Sequence, residues 1–321
     1  MSLINGFNIF PTTKSFEKIS VDQVAQPIPH NAYQWLQFDL TDPDTPNIIR
    51  SIDGLDELFV DALLKEETRP RLSISNDDML FMLRGVNLAE GADPEDMVSV
   101  RMLVSKNRII TCQRRNLLSV NDMVQQIEEG NSSKSTAHFL VYLCERLIFR
   151  MGDFMEDIED RSAEIEELVL DNEDEDYRND IHNIRRQIIQ LKRFLVPQRE
   201  AFLKIQLEKT SWITQKQQLR FREITDQLIR YLEMLDAARD MGTVSQETLY
   251  NRQNEEMNKR MYVLTIVAAF FLPLGFFTGL LGVNLAGIPS ADSPLAFFVF
   301  VIILLTIVGF QFWLFKKNKW L

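Results

Sequence analysis

The chain closes on two long apolar runs, and they limit what the rest of it can be. Met261 to Leu281 (MYVLTIVAAFFLPLGFFTGLL) and Leu295 to Phe315 (LAFFVFVIILLTIVGFQFWLF) each hold 21 residues without a charge. At a rise of 1.5 Å per residue a helix of that length spans about 30 Å, the thickness of a bilayer's hydrocarbon. Two transmembrane helices are predicted. Lys259 and Arg260 precede the first, and Lys316, Lys317 and Lys319 follow the second, while the connection from Gly282 to Pro294 carries only Asp292. Positive charge collects on the cytosolic side of a membrane, so both termini are expected in the cytosol and the connection outside. The C-terminal lysines could form a collar at an inner mouth, although their place as a flank already accounts for them.

At 321 residues, 45% hydrophobic and 25% charged, the chain is too apolar to be disordered as a whole and long enough for one large domain or two ordinary ones. Cys112 and Cys144 make no C-x-x-C spacing, and nothing at the N-terminus reads as a cleavable signal, so most of the chain is expected in a reducing cytosol. The net charge of -11 is a local device. Asp153 to Asp176 holds 13 acidic residues against Arg161 alone, a net of -12, which leaves about +1 elsewhere by subtraction. That balance argues against nucleic acid as a partner.

The fold class expected is α+β. YQWLQFDL from Tyr33, DMLFMLRGV from Asp78 and VSVRMLVSKNRIITC from Val98 read as strands, with a helix around Gly54 to Glu66, so residues 1–116 are expected to form an α/β domain. Residues 117–245 turn helical. One helix is predicted to Leu170 and a second to Leu207, bent at Pro197, with the acidic run at their hairpin tip. A third begins near Leu219 or, after a break at Met241-Gly242-Thr243, near Gln246. Residues 246–281 would then be a cytosolic stalk running into the first span, followed by the connection 282–294, the second span 295–315 and a basic tail 316–321.

The stalk carries a stripe. Asn254, Asn258, Met261, Thr265, Ala268, Leu272, Gly275, Gly279 and Gly282 recur at alternating spacings of four and three, a 3.5-residue period that keeps them on one face of a supercoiled helix. Its start is amides, its middle Met, Thr, Ala and Leu, and its end three glycines, which let helices approach closely or leave room at an axis. A helix with such a stripe wants copies of itself. Two spans per chain cannot enclose a conduit, so a conducting form must be a homo-oligomer. Packing within an interface would also account for Met261 and Leu272.

Gly282-Val283-Asn284, taken alone, is turn chemistry, since Gly and Asn both tolerate positive φ. Together with the two spans, the stripe and the stretches RFREITDQLIR from Arg220, NEEMNKRMYVLT from Asn254, FLPLGFFTGLLGVN from Phe271 and FKKNKWL from Phe315, it resembles the CorA superfamily of two-helix divalent cation transporters. That family's signature is Gly-Met-Asn. With Val283 in place of the methionine, the chain looks most like the zinc-transport branch typified by ZntB. The resemblance implies a homopentameric funnel in the inner membrane, with Gly282, Val283 and Asn284 as outer selectivity filter and the stripe lining the pore. Asn284 and Asn258 would then form amide rings that hydrogen-bond a hydrated dication, and Met261 and Leu272 would be apolar constrictions. Asp292 could draw cations to the mouth or simply be solvated. The resemblance also implies regulatory carboxylates, matched here by Glu223 and Asp226, with Asp77 or Asp78 as a facing partner.

The acidic hairpin could bind cations, but such runs are usually a solvated helix face. His30, His138 and His182 are scattered and make no tetrahedral zinc set. No P-loop or catalytic constellation stands out, so an enzyme is not expected, nor any cofactor beyond the transported ion, Zn²⁺ or else Mg²⁺, Co²⁺, Ni²⁺ or Cd²⁺. A dication moving inward gains roughly 4.6 kcal/mol per 100 mV, twice the single-charge figure. Uptake is therefore favoured, with proton coupling open. Two other readings stay open, a magnesium channel gated by cytosolic Mg²⁺ and a membrane-anchored sensor or scaffold.

Overall fold

The computed structural model describes residues 2–66, 68–171, 177–208, 210–283, 293 and 295–318. It divides into two units, residues 1–246 and 247–321. The first unit is built on a seven-stranded sheet of β1 (Leu3–Phe10), β2 (Ser15–Lys18), β3 (Tyr33–Asp39), β4 (Arg71–Ser75), β5 (Asp78–Gly85), β6 (Val98–Val104) and β7 (Arg108–Gln113), in the order β2-β1-β3-β7-β6-β5-β4. Every pairing is antiparallel except β3 with β7. The β4–β5 hairpin turns on Asn76 and Asp77, both at positive φ (49° and 71°), as a two-residue loop of primed type requires.

Both faces of the sheet are covered, which is why its central strands read as near-continuous apolar runs. On one face, Leu36, Phe38, Leu80, Met82, Ile110 and Cys112 pack under two short helices, α1 (Thr45–Arg50) and α2 (Glu57–Leu64). On the other, Trp35 is fully buried against Phe7 and Phe139, ring centroids 5.7 and 4.9 Å away, and its indole N–H donates to Thr111 Oγ1 at 3.0 Å. That face continues into α3 (Leu118–Glu128), α4 (Thr136–Phe149), α5 (Gly152–Asp171), α6 (Arg178–Leu207) and the first part of α7 (Gln215–Leu281). Residues 1–116 and 117–245 therefore share one core rather than standing as separate bodies.

One helix boundary differs from expectation, and another settles an open choice. The single helix predicted to Leu170 is interrupted at Arg150 and Met151, just before Gly152, where an added Cβ would fall 2.9 Å from the Tyr231 hydroxyl. The turn lets a side chain of α7 into that place. Conversely, of the two starts left open for the third helix the structure takes the earlier one, near Leu219: α7 begins at Gln215 and runs unbroken through Met241-Gly242-Thr243. A helix-interior glycine costs only about 1 kcal/mol relative to alanine, and here Gly242 is buried against Arg185 and Ile181 of α6. Packing outweighs the local propensity. α6 in turn runs through Pro197 to Leu207.

Candidate functional site

The second unit holds α7 from Glu247 onward and α8 (Ala296–Lys317), both long and apolar enough to cross a membrane. One row of α7 faces α8. Ile266, Ala269, Phe270, Pro273, Leu274 and Phe277 are half-buried, with Phe270 stacked on Phe315 at 5.4 Å. Pro273 has no N–H, so the Ala269 carbonyl four residues earlier loses its helical donor. Gln311 of α8 supplies a replacement, its Nε2 donating to Ala269 O at 3.1 Å. Reading the sequence for motifs missed Gln311, although it is the one amide in its apolar run.

The stripe lies elsewhere on α7. With 3.6 residues per turn, its centre falls about 150° round the helix from the row that meets α8. Asn254, Asn258, Met261, Thr265, Ala268, Leu272, Gly275, Gly279 and Gly282 are all exposed within the single chain. Met261 and Leu272 are 60% and 73% exposed, and a Cβ added at Gly275 or Gly279 would meet nothing within 4 Å. The Thr265 hydroxyl donates back to Met261 O at 2.8 Å, which leaves it only acceptor capacity. At the end of α7 the Gly282 N–H bonds to Thr278 O at 2.9 Å, and a Cβ on Gly282 would fall 2.7 Å from that oxygen. Gly282 therefore owes its identity to the tight end of the helix as well as to any filter. Asn284, Asp292 and Lys319 lie outside the described residues, so of the expected filter only Gly282 and the exposed Val283 are placed.

Glu223 and Asp226 are exposed on α7 within the first unit. Asp77 is already engaged in its own chain. It accepts from Ser211 N at 3.0 Å and from the Ser211 hydroxyl, and these bonds hold its carboxyl below the usual range. Burial, then the charges of Asp77 and Asp56, push Asp78 the other way. Along α5, Met155, Ile158, Ser162 and Val169 turn inward, and of the acidic residues only Glu159 and Glu166 are half-buried, the rest exposed, so the described part of the acidic run lies mainly on the solvent side. Among the described residues no group of three or more His, Cys, Asp or Glu could hold a metal. Cys112 and Cys144 are buried free thiols whose pKa values burial raises.

Comparison with known proteins gives this arrangement a family. The sequence model described as CorA-like Mg2+ transporter protein matches residues 30–317, reaching well into the sheet as well as the two apolar helices. The chain is 37% identical over 289 residues to the divalent cation transporter CmaX of Pseudomonas aeruginosa, covering 89% of this chain and 87% of that one. It is 34% identical over 287 residues to the zinc transport protein ZntB of Pectobacterium carotovorum, covering 89% and 88%. The solved structure of full-length CmaX superposes with a TM-score of 0.84 at 34% identity, over 99% of this chain and 98% of that one.

Proposed function

We propose, from the premise that this chain belongs to the CorA-like Mg2+ transporter family, that it is a divalent metal cation transporter of the CorA/ZntB type that takes up Zn²⁺ through an axial path. The path is lined by the stripe of α7 in a homo-oligomer, pentameric by resemblance, in the inner membrane with both termini cytosolic. The observation that carries the reading is the stripe's position. α8 packs on the opposite side of α7, so Asn258, Met261, Thr265, Ala268, Leu272, Gly275 and Gly279 remain open for other copies of the same helix. Among the described residues, Lys259, Arg260, Lys316 and Lys317 support the orientation by their positive charge.

The chemistry suits a hydrated ion. A ring of Asn284 side chains, with the Gly282 and Val283 carbonyls, would offer neutral oxygens that hydrogen-bond a dication's water shell without stripping it, so that binding stays weak enough for release. Asn258 would repeat the ring further along, with Met261 and Leu272 as constrictions between. Zinc rests on the relatives named for it and on Val283. The family's own description names Mg²⁺ instead, and on that second reading Glu223 and Asp226 would be the carboxylates that sense it.

Flux of Zn²⁺, Mg²⁺, Co²⁺ and Ni²⁺ into proteoliposomes, with and without a membrane potential and a pH gradient, separates these. Zinc flux is expected to dominate. Flux dominated by Mg²⁺, driven by potential alone and lost to internal Mg²⁺ until Glu223 is neutralised, would replace the zinc reading. No flux of any dication would sink transport itself. An Asn284→Ala protein that assembles and keeps its rate and selectivity would remove the filter.

A further inference from the structure

A cluster in the first unit, unused by the ion path, brings cationic side chains from two distant parts of the sequence around one cavity of about 300 Å³. Lys134 just precedes α4, His138 lies in its first turn, and Lys216 and Arg220 come from the first two turns of α7, all four exposed at the rim of the cavity. Among the described residues Glu145 is the only carboxylate lining the cavity, and Arg220 lies 3.7 Å from it. Three permanent cations against one carboxylate leave an excess of two positive charges before His138 gains a proton. Burial, and then Lys134, Lys216 and Arg220, hold the His138 imidazole below its ordinary pKa, so it feels the other three cations directly. Among the described residues, no carboxylate is paired with Lys134 or Lys216.

Ser135 caps α4, its hydroxyl accepting from His138 N at 3.2 Å, and Thr214 N donates to Gln217 Oε1 at 2.8 Å in the first turn of α7. Ser135 and Thr214 both line the cavity, which runs along the sides of the two helices past His138, Glu145, Lys216 and Arg220.

We propose that this cavity binds a phosphate dianion, free or as the end of a small phosphomonoester, held by Lys134, Lys216 and Arg220, with His138 donating when protonated. Cations converging from two segments suit an anion with several acceptor oxygens better than a single-point ion. The volume lies at the small end of the range for ligand pockets, roughly 300–1,000 Å³, which suits a headgroup-sized anion and not a peptide. The site shares no residue with the stripe, so it stands or falls independently of the ion path.

The test is calorimetric titration of the full-length protein with inorganic phosphate and, separately, with AMP, at fixed ionic strength with chloride as background anion. Saturable binding of phosphate, one per chain, is expected. It should weaken about tenfold or more in Lys134→Gln/Lys216→Gln and persist in Lys216→Arg. Binding of both probes would identify a phosphomonoester end, and binding of phosphate alone the free ion. On the unaltered protein, phosphate should raise the pKa of His138 followed by NMR, because a bound dianion favours the imidazolium. No saturable phosphate binding, or affinity and a His138 titration indifferent to phosphate and to the paired lysine substitutions, would overturn the proposal.

Discussion

The two units solve the burial problem in opposite ways. In the first, large side chains such as Trp35, Phe81, Phe202 and Phe221 are fully buried, and one chain suffices to cover them. In the second, Phe315 is the only buried residue among those described, and Leu264, Phe271, Leu272, Phe297 and Phe298 are all at least 65% exposed. In water that surface would be untenable. Lipid removes the penalty and with it the hydrophobic drive between helices, so association must come from close packing and a few polar bonds. The lesson is that a single chain specifies the first unit's interior completely and the second unit's only in part. What α8 leaves uncovered on α7 is the surface on which the proposed function has other copies act.

The largest expected effects fall on the first unit. Trp35→Ala removes an indole packed between Phe7 and Phe139 and should cost about 3–5 kcal/mol, read as a drop in the urea midpoint. Trp313→Ala, at a side chain 54% exposed on α8, should leave that midpoint in place. Equal losses at the two positions would break the contrast. Next comes Asp122, which accepts from Arg146 Nε at 2.8 Å and from Arg150 Nη2 at 2.6 Å. Burial alone would raise its pKa, but the bonds from Arg150 and Arg146 prevail and hold the carboxyl below the usual range. Asp122→Asn should cost about 2 kcal/mol at neutral pH. A depressed carboxylate contributes its full stability above the ordinary pKa of about 3.9 and loses it as pH falls through the lowered value. The gap between wild type and variant should therefore close only in acid, and a gap constant down to pH 2 would refute the assignment.

What could be read from the sequence follows the same division. The two spans needed only the absence of charge, and β3, β5 and the single run that holds β6 and β7 announced themselves as aliphatic because the sheet is covered twice. β1 did not, since Asn5, Gly6 and Asn8 dilute its pattern, and β2 is a four-residue edge strand that is mostly exposed. The turn before Gly152 answers to Tyr231, and the continuity of α7 at Gly242 answers to α6. Both are long-range contacts that no local window contains. The stripe was legible as a heptad spacing, but its separation from the row facing α8 required the partner of Ala269. The expected filter residue Asn284 falls outside the described residues, so its role rests on the resemblance.

Neighbouring alanines offer the sharpest probe of that separation. Ala268 lies on the stripe and Ala269 on the row against α8. Ala269→Leu should crowd Gln311 and destabilise the helix pair by about 1–2 kcal/mol, measured by denaturation in micelles. Ala268→Leu should leave the pair intact and, on the proposed reading in which other copies pack on the stripe, change ion flux or oligomer stability instead. Indistinguishable outcomes would mean that α7 does not present two faces.

The smallest effect tests why Gln311 is where it is. Removing its bond to Ala269 O by Gln311→Leu should cost only about 0.6 kcal/mol, the mean for such bonds inside membranes. The informative measurement is the double-mutant cycle with Pro273→Ala. Alanine restores the N–H that proline lacks, so the Ala269 carbonyl regains its helical donor and Gln311 loses its purpose. Its Oε1 is buried with no hydrogen-bond partner among the described residues, so in that background Gln311→Leu should become neutral or stabilising. A coupling of about 0.5 kcal/mol or more between the two positions would tie the glutamine to the proline. Strict additivity would show that Gln311 does not answer to the proline, and its bond to Ala269 O would then be no replacement for the missing helical donor.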